Sequence, residues 1–89
     1  MNKDTHPRAM RRLKIIEGQV RGLQKMIEED AYCIDIITQA SAVKEALSGF
    51  EDLLLENHLA THVVQQIQHD NEAQAVEEIL KVYKLKRRK

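Results

Sequence analysis

The chain has no tryptophan, one phenylalanine, two tyrosines, one proline, three glycines and one cysteine among its 89 residues. A single cysteine excludes an internal disulfide, and with it a small secreted, disulfide-stapled fold; a reducing compartment, the cytoplasm, is expected. So few aromatics leave a thin core for a chain this short. Helical chains of this kind usually make up the missing burial by associating with copies of themselves. No run of 18 apolar residues is present and no secretory leader pattern is seen, so a soluble protein with no membrane partner is expected. Strand-like alternation, internal repeats and a glycine-rich phosphate loop are missing too. What remains is helix.

Three helices account for nearly all of the sequence, and the expected fold class is all-α, one domain over residues 1–89. The first starts near Thr5 as N-cap, with Pro7 in the first turn, where its missing N–H costs nothing. Leu13, Ile16, Val20, Leu23 and Ile27 recur at helical spacing along it, and it ends around Glu29. Asp30 is a plausible cap for the second helix, from about residue 33 to about residue 68. Ile36, Ala40, Val43, Leu47, Phe50 and Leu54 form its apolar stripe. A polar break at residues 69–71 precedes a third helix, capped by Asn71 and running to about Lys84, with Ala75, Val76, Ile79, Leu80 and Tyr83 as its apolar positions.

The lone cysteine, Cys33, stands at the start of the second helix, with a His-x3-His pair, His58 and His62, far downstream. At about 1.5 Å per residue, Cys33 and His58 lie roughly 37 Å apart along one helix. At 100° per residue all three nevertheless fall on one stripe, continuous with the apolar one. Two such helices packed antiparallel, crossing near Leu47, bring Cys33 of one chain beside His58 and His62 of the other. That is a thiolate–imidazole site shared between two chains. Taken singly, such a cysteine is usually a small core residue and such histidines are usually surface residues. His6 and His69 are expected to face solvent.

Zero net charge hides strong segregation. Residues 1–25 carry seven basic and two acidic side chains, residues 26–83 two basic and twelve acidic, and residues 84–89 five basic and none acidic. Such blocks point to a polyanion partner. Opposite the apolar stripe of the first helix lie Arg11, Lys14, Gly18, Arg21, Gly22 and Lys25. Glycine costs about 1 kcal/mol against alanine inside a helix, so two on one basic face imply close approach by another helix or by a phosphate backbone. The tail, residues 84–89, reads as a solvated basic segment.

The run Arg12-Leu13-Lys14-Ile15-Ile16-Glu17-Gly18-Gln19-Val20-Arg21-Gly22, followed by Met26-Ile27-Glu28-Glu29-Asp30 and Tyr32-Cys33, resembles the CsoR/RcnR/FrmR family of bacterial repressors. Gln39, Ser41-Ala42-Val43, His58-Leu59 and His62 extend the resemblance over roughly residues 8–83. It implies a three-helix protomer, an antiparallel homodimer with a four-helix-bundle core, and a dimer of dimers as homotetramer. It also implies binding to operator DNA without a helix-turn-helix, and release when an inducer reaches the Cys/His site. Persulfide-sensing members use two cysteines, and formaldehyde-sensing members carry proline where Asn2 stands here. Tyr32 and Glu78 match positions that surround the ligands in the copper branch. Arg12 matches a position used for DNA, and helix phase adds Lys14, Arg21 and Lys25. Gly49 stands where related repressors can carry an arginine.

Three ligands, one of them a soft thiolate, suit Cu(I); Zn(II) asks for a fourth ligand and Ni(II) or Co(II) for more, which His6 or the N-terminal amine could supply. The leading expectation is a Cu(I)-responsive repressor of copper homeostasis genes, with nickel-, cobalt- or zinc-responsive repression as the alternative. A cysteine-dependent enzyme lacks an oxyanion hole and a substrate pocket, and a structural helical adaptor leaves the charge segregation unexplained.

Overall fold

The computed structural model describes residues 1–63, 68 and 71–87, with the side chains of residues 62 and 63 outside the description. Helix α1 spans Thr5–Glu28, α2 spans Cys33–His58 and continues as a π-helical turn over Leu59–Val63, and α3 spans Glu72–Arg87. Among the described residues there is no strand.

Thr5 is not the N-cap of α1 but its first helical residue, and it is buried. The capping is done by Asn2. Its carbonyl accepts the N–H groups of Thr5 and His6 at 3.1 and 3.2 Å, and its side-chain oxygen accepts that of Asp4 at 3.0 Å. These N–H groups belong to the set that the first helical turn leaves without partners. Asp30 likewise closes α1 instead of capping α2. It is left-handed (φ 52°) and donates its N–H to Ile27, while Ala31 donates to Met26 at 2.9 Å. That bond pair is a Schellman stop, in which aspartate tolerates the backbone usually given to glycine. Tyr32 then caps α2, its carbonyl accepting from Asp35 and Ile36.

α2 is the central helix of a single layer. On one side α1 runs antiparallel to it, with Asn2 at Asn57 and Arg12 at Gly49. On the other side α3 runs back along its C-terminal half, with Glu78 at His58 and Lys86 at Ser48. The chain measures 56 × 29 × 12 Å, so its thin dimension is about one helix diameter. A single layer leaves an apolar face without cover. Its accessible surface of 7215 Å² is about a third more than the roughly 5,400 Å² of a compact folded chain of this mass.

The burial pattern corrects the expected stripes. α1 buries Ala9 and Ile16 against its own chain, whereas Leu13, Val20 and Ile27 are exposed. On α2 Val43 and Leu53 are buried, but Leu47, the expected crossing point between two chains, is 39% exposed. The apolar periodicity is real and divides between two faces, one meeting this chain and one turned outward. α3 extends past Lys84 to Arg87, so the first four residues of the expected solvated tail are helix; residues 88–89, His69, and the expected course of α2 over residues 64–67 lie outside the described residues.

Candidate metal centre

α2 holds Cys33 at its first position and His58 at its last, so one helix separates them by its full length. Cys33 is a free, exposed thiol. Tyr32, next to it, is exposed too and lies at the far end of α2 from His58. Among the described residues no three His, Cys, Asp or Glu side chains come together to hold a metal within one chain. The side chain of His62 lies outside the description. Its backbone belongs to the π-helical turn. In a regular helix position 62 would overshoot position 58 by about 40°. The wider i→i+5 turn removes most of that overshoot and brings the two positions nearer to one line.

His58 is the best-defined part of the site. Its Nε2 lies 3.1 Å from Glu78 Oε2, and the other carboxylate oxygen of Glu78 accepts from Gln74 Nε2 at 3.1 Å. A carboxylate accepts, so the ring nitrogen facing Glu78, Nε2, is the donor of this pair. This is how an imidazole is oriented for a metal: the carboxylate fixes tautomer and ring plane and makes the ligating nitrogen more basic. Both side chains border a groove of about 460 Å³ between α2 and α3, lined also by Leu54, Leu55, Val82 and Leu85. The structure therefore joins Glu78 to His58, leaves Tyr32 and Cys33 at the other end of α2, and offers one thiol and one oriented imidazole per chain. These donors suit a soft late transition metal.

The four expected DNA contacts are all exposed on α1. Arg21 pairs with Glu17 and Lys25 with Glu29 in i,i+4 ion pairs at the surface, worth little in water. Arg12 lies over Gly49, where an added Cβ would stand 3.2 Å from its guanidinium nitrogen. No described residue lies within 4 Å of a Cβ placed on Gly18 or Gly22. Close packing against the described residues of this chain is therefore not what those two glycines serve.

Two functional features carried no sequence signal that periodicity could reveal. Lys86 is an anchor, not a solvated tail residue: its Nζ donates to the Ser48 hydroxyl at 2.9 Å and lies 2.9 Å from Asp52 and 3.8 Å from Glu51. The hydrogen bond to Asp52 and the charges of both carboxylates hold its pKa above the ordinary lysine value, against a smaller opposing effect of desolvation. Asn57, a buried polar residue inside α2, accepts the backbone N–H of Asn2 at 2.9 Å.

The family described as metal-sensitive transcriptional repressor matches residues 5–84. The chain is 48% identical over 73 residues to the copper-sensing transcriptional repressor CsoR of Bacillus subtilis, covering 82% of this chain and 72% of that one. It is 48% identical over 65 residues to the copper-sensing transcriptional repressor RicR of Mycobacterium tuberculosis, covering 73% of this chain and 65% of that one. Its fold is similar to the crystal structure of the copper-sensing repressor CsoR with Cu(I) from Geobacillus thermodenitrificans, with TM-score 0.87, 42% identity, and coverage of 96% and 88% of the two chains.

Proposed function

The chain belongs to the family of metal-sensitive transcriptional repressors, and from that premise we propose that it holds operator DNA as a homotetramer and releases it when Cu(I) occupies a site shared between two chains. The family is one of regulators, not enzymes. A repressor works where its DNA is, which places this one in the cytoplasm; no described helix is long and apolar enough to cross a membrane. The whole of residues 1–89 serves as one repressor domain.

The observation that carries the reading is the Glu78–His58 pair at one end of α2 with Cys33 at the other. Cys33 of one chain with His58 and His62 of the other would hold the metal, with Tyr32 next to Cys33 bordering the site. Cu(I) supplies a soft centre satisfied by three such donors. The residues do the rest. Glu78 holds Nε2–H of His58 and ties α3 to the metal-site end of α2, so any shift of the imidazole is passed to α3. DNA lies against α1, through Lys14, Arg21 and Lys25 on its outer face and through Arg12 at its edge over Gly49 of α2. Release is therefore a change of shape and not competition for one surface.

The test is anisotropy of a labelled duplex carrying the chain's own promoter, measured anaerobically with Cu(I), Ni(II), Co(II) and Zn(II) in turn. Cu(I) is expected to weaken binding by about tenfold or more, within the usual range of allosteric coupling. Neutralising the four basic residues one at a time is expected to flatten the salt dependence by about 0.9 for each phosphate that no longer has a cationic partner. Equal DNA affinity of the apo and Cu(I) forms overturns the reading.

A further inference from the structure

The two buried polar side chains among the described residues, Thr5 and Asn57, sit at the same junction, where the start of α1 meets the end of α2. Buried polar groups are retained mostly where they are paired, and the Asn57 side chain is paired with the segment that starts α1. Asn57 Oδ1 accepts the Asn2 N–H at 2.9 Å; Asn2 in turn caps α1 through Asp4, Thr5 and His6. The Asn57 carbonyl accepts the hydroxyl of Thr61 at 2.8 Å. Asn57 directly precedes His58, and the helix widens into its π-helical turn two residues later, at Leu59. A threonine hydroxyl bonded back to the carbonyl four residues earlier bends a helix, and a π turn is a local irregularity found mostly at functional sites.

We infer that Asn57 is a positioning residue of the metal site: by fastening residues 2–6 to α2, it fixes where the helix widens and so how positions 58 and 62 stand to one another. The inference rests on the copper reading above and goes beyond its ligand set. Leucine at position 57 would fill the same space without an acceptor. The widened turn would then be free to relax to regular helix, in which position 62 swings about 40° away from position 58. A directional hydrogen bond prevents this because it specifies one arrangement, where apolar packing tolerates several.

The experiment uses the full chain with Asn57→Leu and with Asn57→Asp, which keeps an acceptor oxygen. Cu(I) affinity is read by competition with a chromogenic chelator, copper coordination by X-ray absorption, and amide exchange of residues 2–6 in the apo protein. Asn57→Leu is expected to weaken Cu(I) binding about tenfold or more, to lower the number of nitrogen ligands, and to speed exchange at Asn2, Thr5 and His6. Asn57→Asp is expected to restore all three. A folded Asn57→Leu protein that binds Cu(I) as the wild type does overturns the inference, and so does an aspartate variant as defective as the leucine one. Should Asn57→Leu not fold, the wild type still decides: by reciprocity Cu(I) must slow exchange of the Asn2 amide, and unchanged exchange overturns the inference. Wild type that takes no Cu(I) ends the copper reading together with this inference, whereas copper binding indifferent to Asn57 ends this inference alone.

Discussion

The two sides of α2 are built differently. Toward α1 the packing is apolar, with Ala9 and Ile16 of α1 and Val43 and Leu53 of α2 buried. Toward α3, of the described residues of that helix, only Ala75 is buried, and the chain adds two polar anchors eight residues apart, Glu78 on His58 and Lys86 on Ser48, Glu51 and Asp52, with a groove open between the helices. Close apolar packing is hardly compressible, so the two helices move as one stiff body. Polar anchors make and break one at a time, and one of these, Glu78, is bonded to His58, which we propose as a metal ligand. On the proposed reading the α1–α2 pair is the platform that carries DNA-binding charge, and α3 is the element free to report on the metal. This division is what a repressor controlled from a distance requires.

The largest expected effect comes from cutting the input to that mobile side. Cys33→Ala should abolish Cu(I)-dependent DNA release while leaving apo DNA affinity within about threefold, since Cys33 is exposed and belongs to α2, not to the basic face of α1. Chains carrying Cys33→Ala mixed with chains carrying His58→Ala should regain some intact sites, as a site shared between two chains requires. Glu78→Gln separates the two roles of α3. The amide still reaches the ring but loses its charge, so Cu(I) affinity should fall by about 10–100-fold, and release should fall further at saturating copper. Normal release in Glu78→Gln would mean that α3 takes no part, and the contrast between the two sides of α2 would carry no function.

Much of this was legible in the residues, for reasons that also explain the rest. The span from Cys33 and the common phase of Cys33 and His58 follow from 3.6-residue periodicity, which a long uninterrupted helix obeys. The π-helical turn after His58 obeys another period and has no compositional mark. Leu13, Val20 and Ile27 read correctly as apolar periodic positions, but periodicity does not say which chain they face, and here they face outward. Thr5 and Asp30 were both good caps by type. Asn2 and the left-handed turn at Asp30 prevailed because backbone closure, not side-chain preference, decides where a helix ends. Lys86 lay in a basic run that composition assigns to solvent; only the return of α3 along α2 brings it to an acidic turn.

A smaller effect sharpens the contrast. Lys86→Met removes the second anchor of α3 and leaves the metal ligands untouched. The difference in DNA affinity between apo and Cu(I) forms should shrink about threefold, with Cu(I) affinity unchanged. The pH dependence has a definite sign. The folded-state pKa of Lys86 lies above its unfolded value, so its contribution is complete below the ordinary lysine value of about 10.4 and is lost as pH rises through the raised one. The stability gap between wild type and Lys86→Met should therefore stay constant from about pH 6 to about pH 9 and close only in stronger alkali. A gap that closes near neutrality would show that the anchor is not the lysine ion pair.

The smallest effect tests the platform side, where three glycines lie in different surroundings. Alanine at Gly18 or Gly22 meets nothing within 4 Å, so each should stabilise its helix by about 0.8–1.0 kcal/mol, the ordinary gain over glycine. Alanine at Gly49 meets the end of the flexible Arg12 side chain at 3.2 Å, which can retreat by a few tenths of an ångström, so the net gain there should be smaller. The binding readouts should run the other way. Gly18 and Gly22 share the exposed face of Lys14, Arg21 and Lys25, where a phosphate backbone or a second chain must come close. Their alanine variants should therefore lose DNA affinity or tetramer stability while their protomers gain helix stability. Anisotropy and sedimentation tell those two losses apart. Gly49→Ala should keep DNA affinity within about twofold, since it moves one guanidinium slightly and adds nothing to that face. If Gly18→Ala and Gly22→Ala gained stability and lost neither property, the open notch on α1 would be unused, and the basic face would need another account of its glycines.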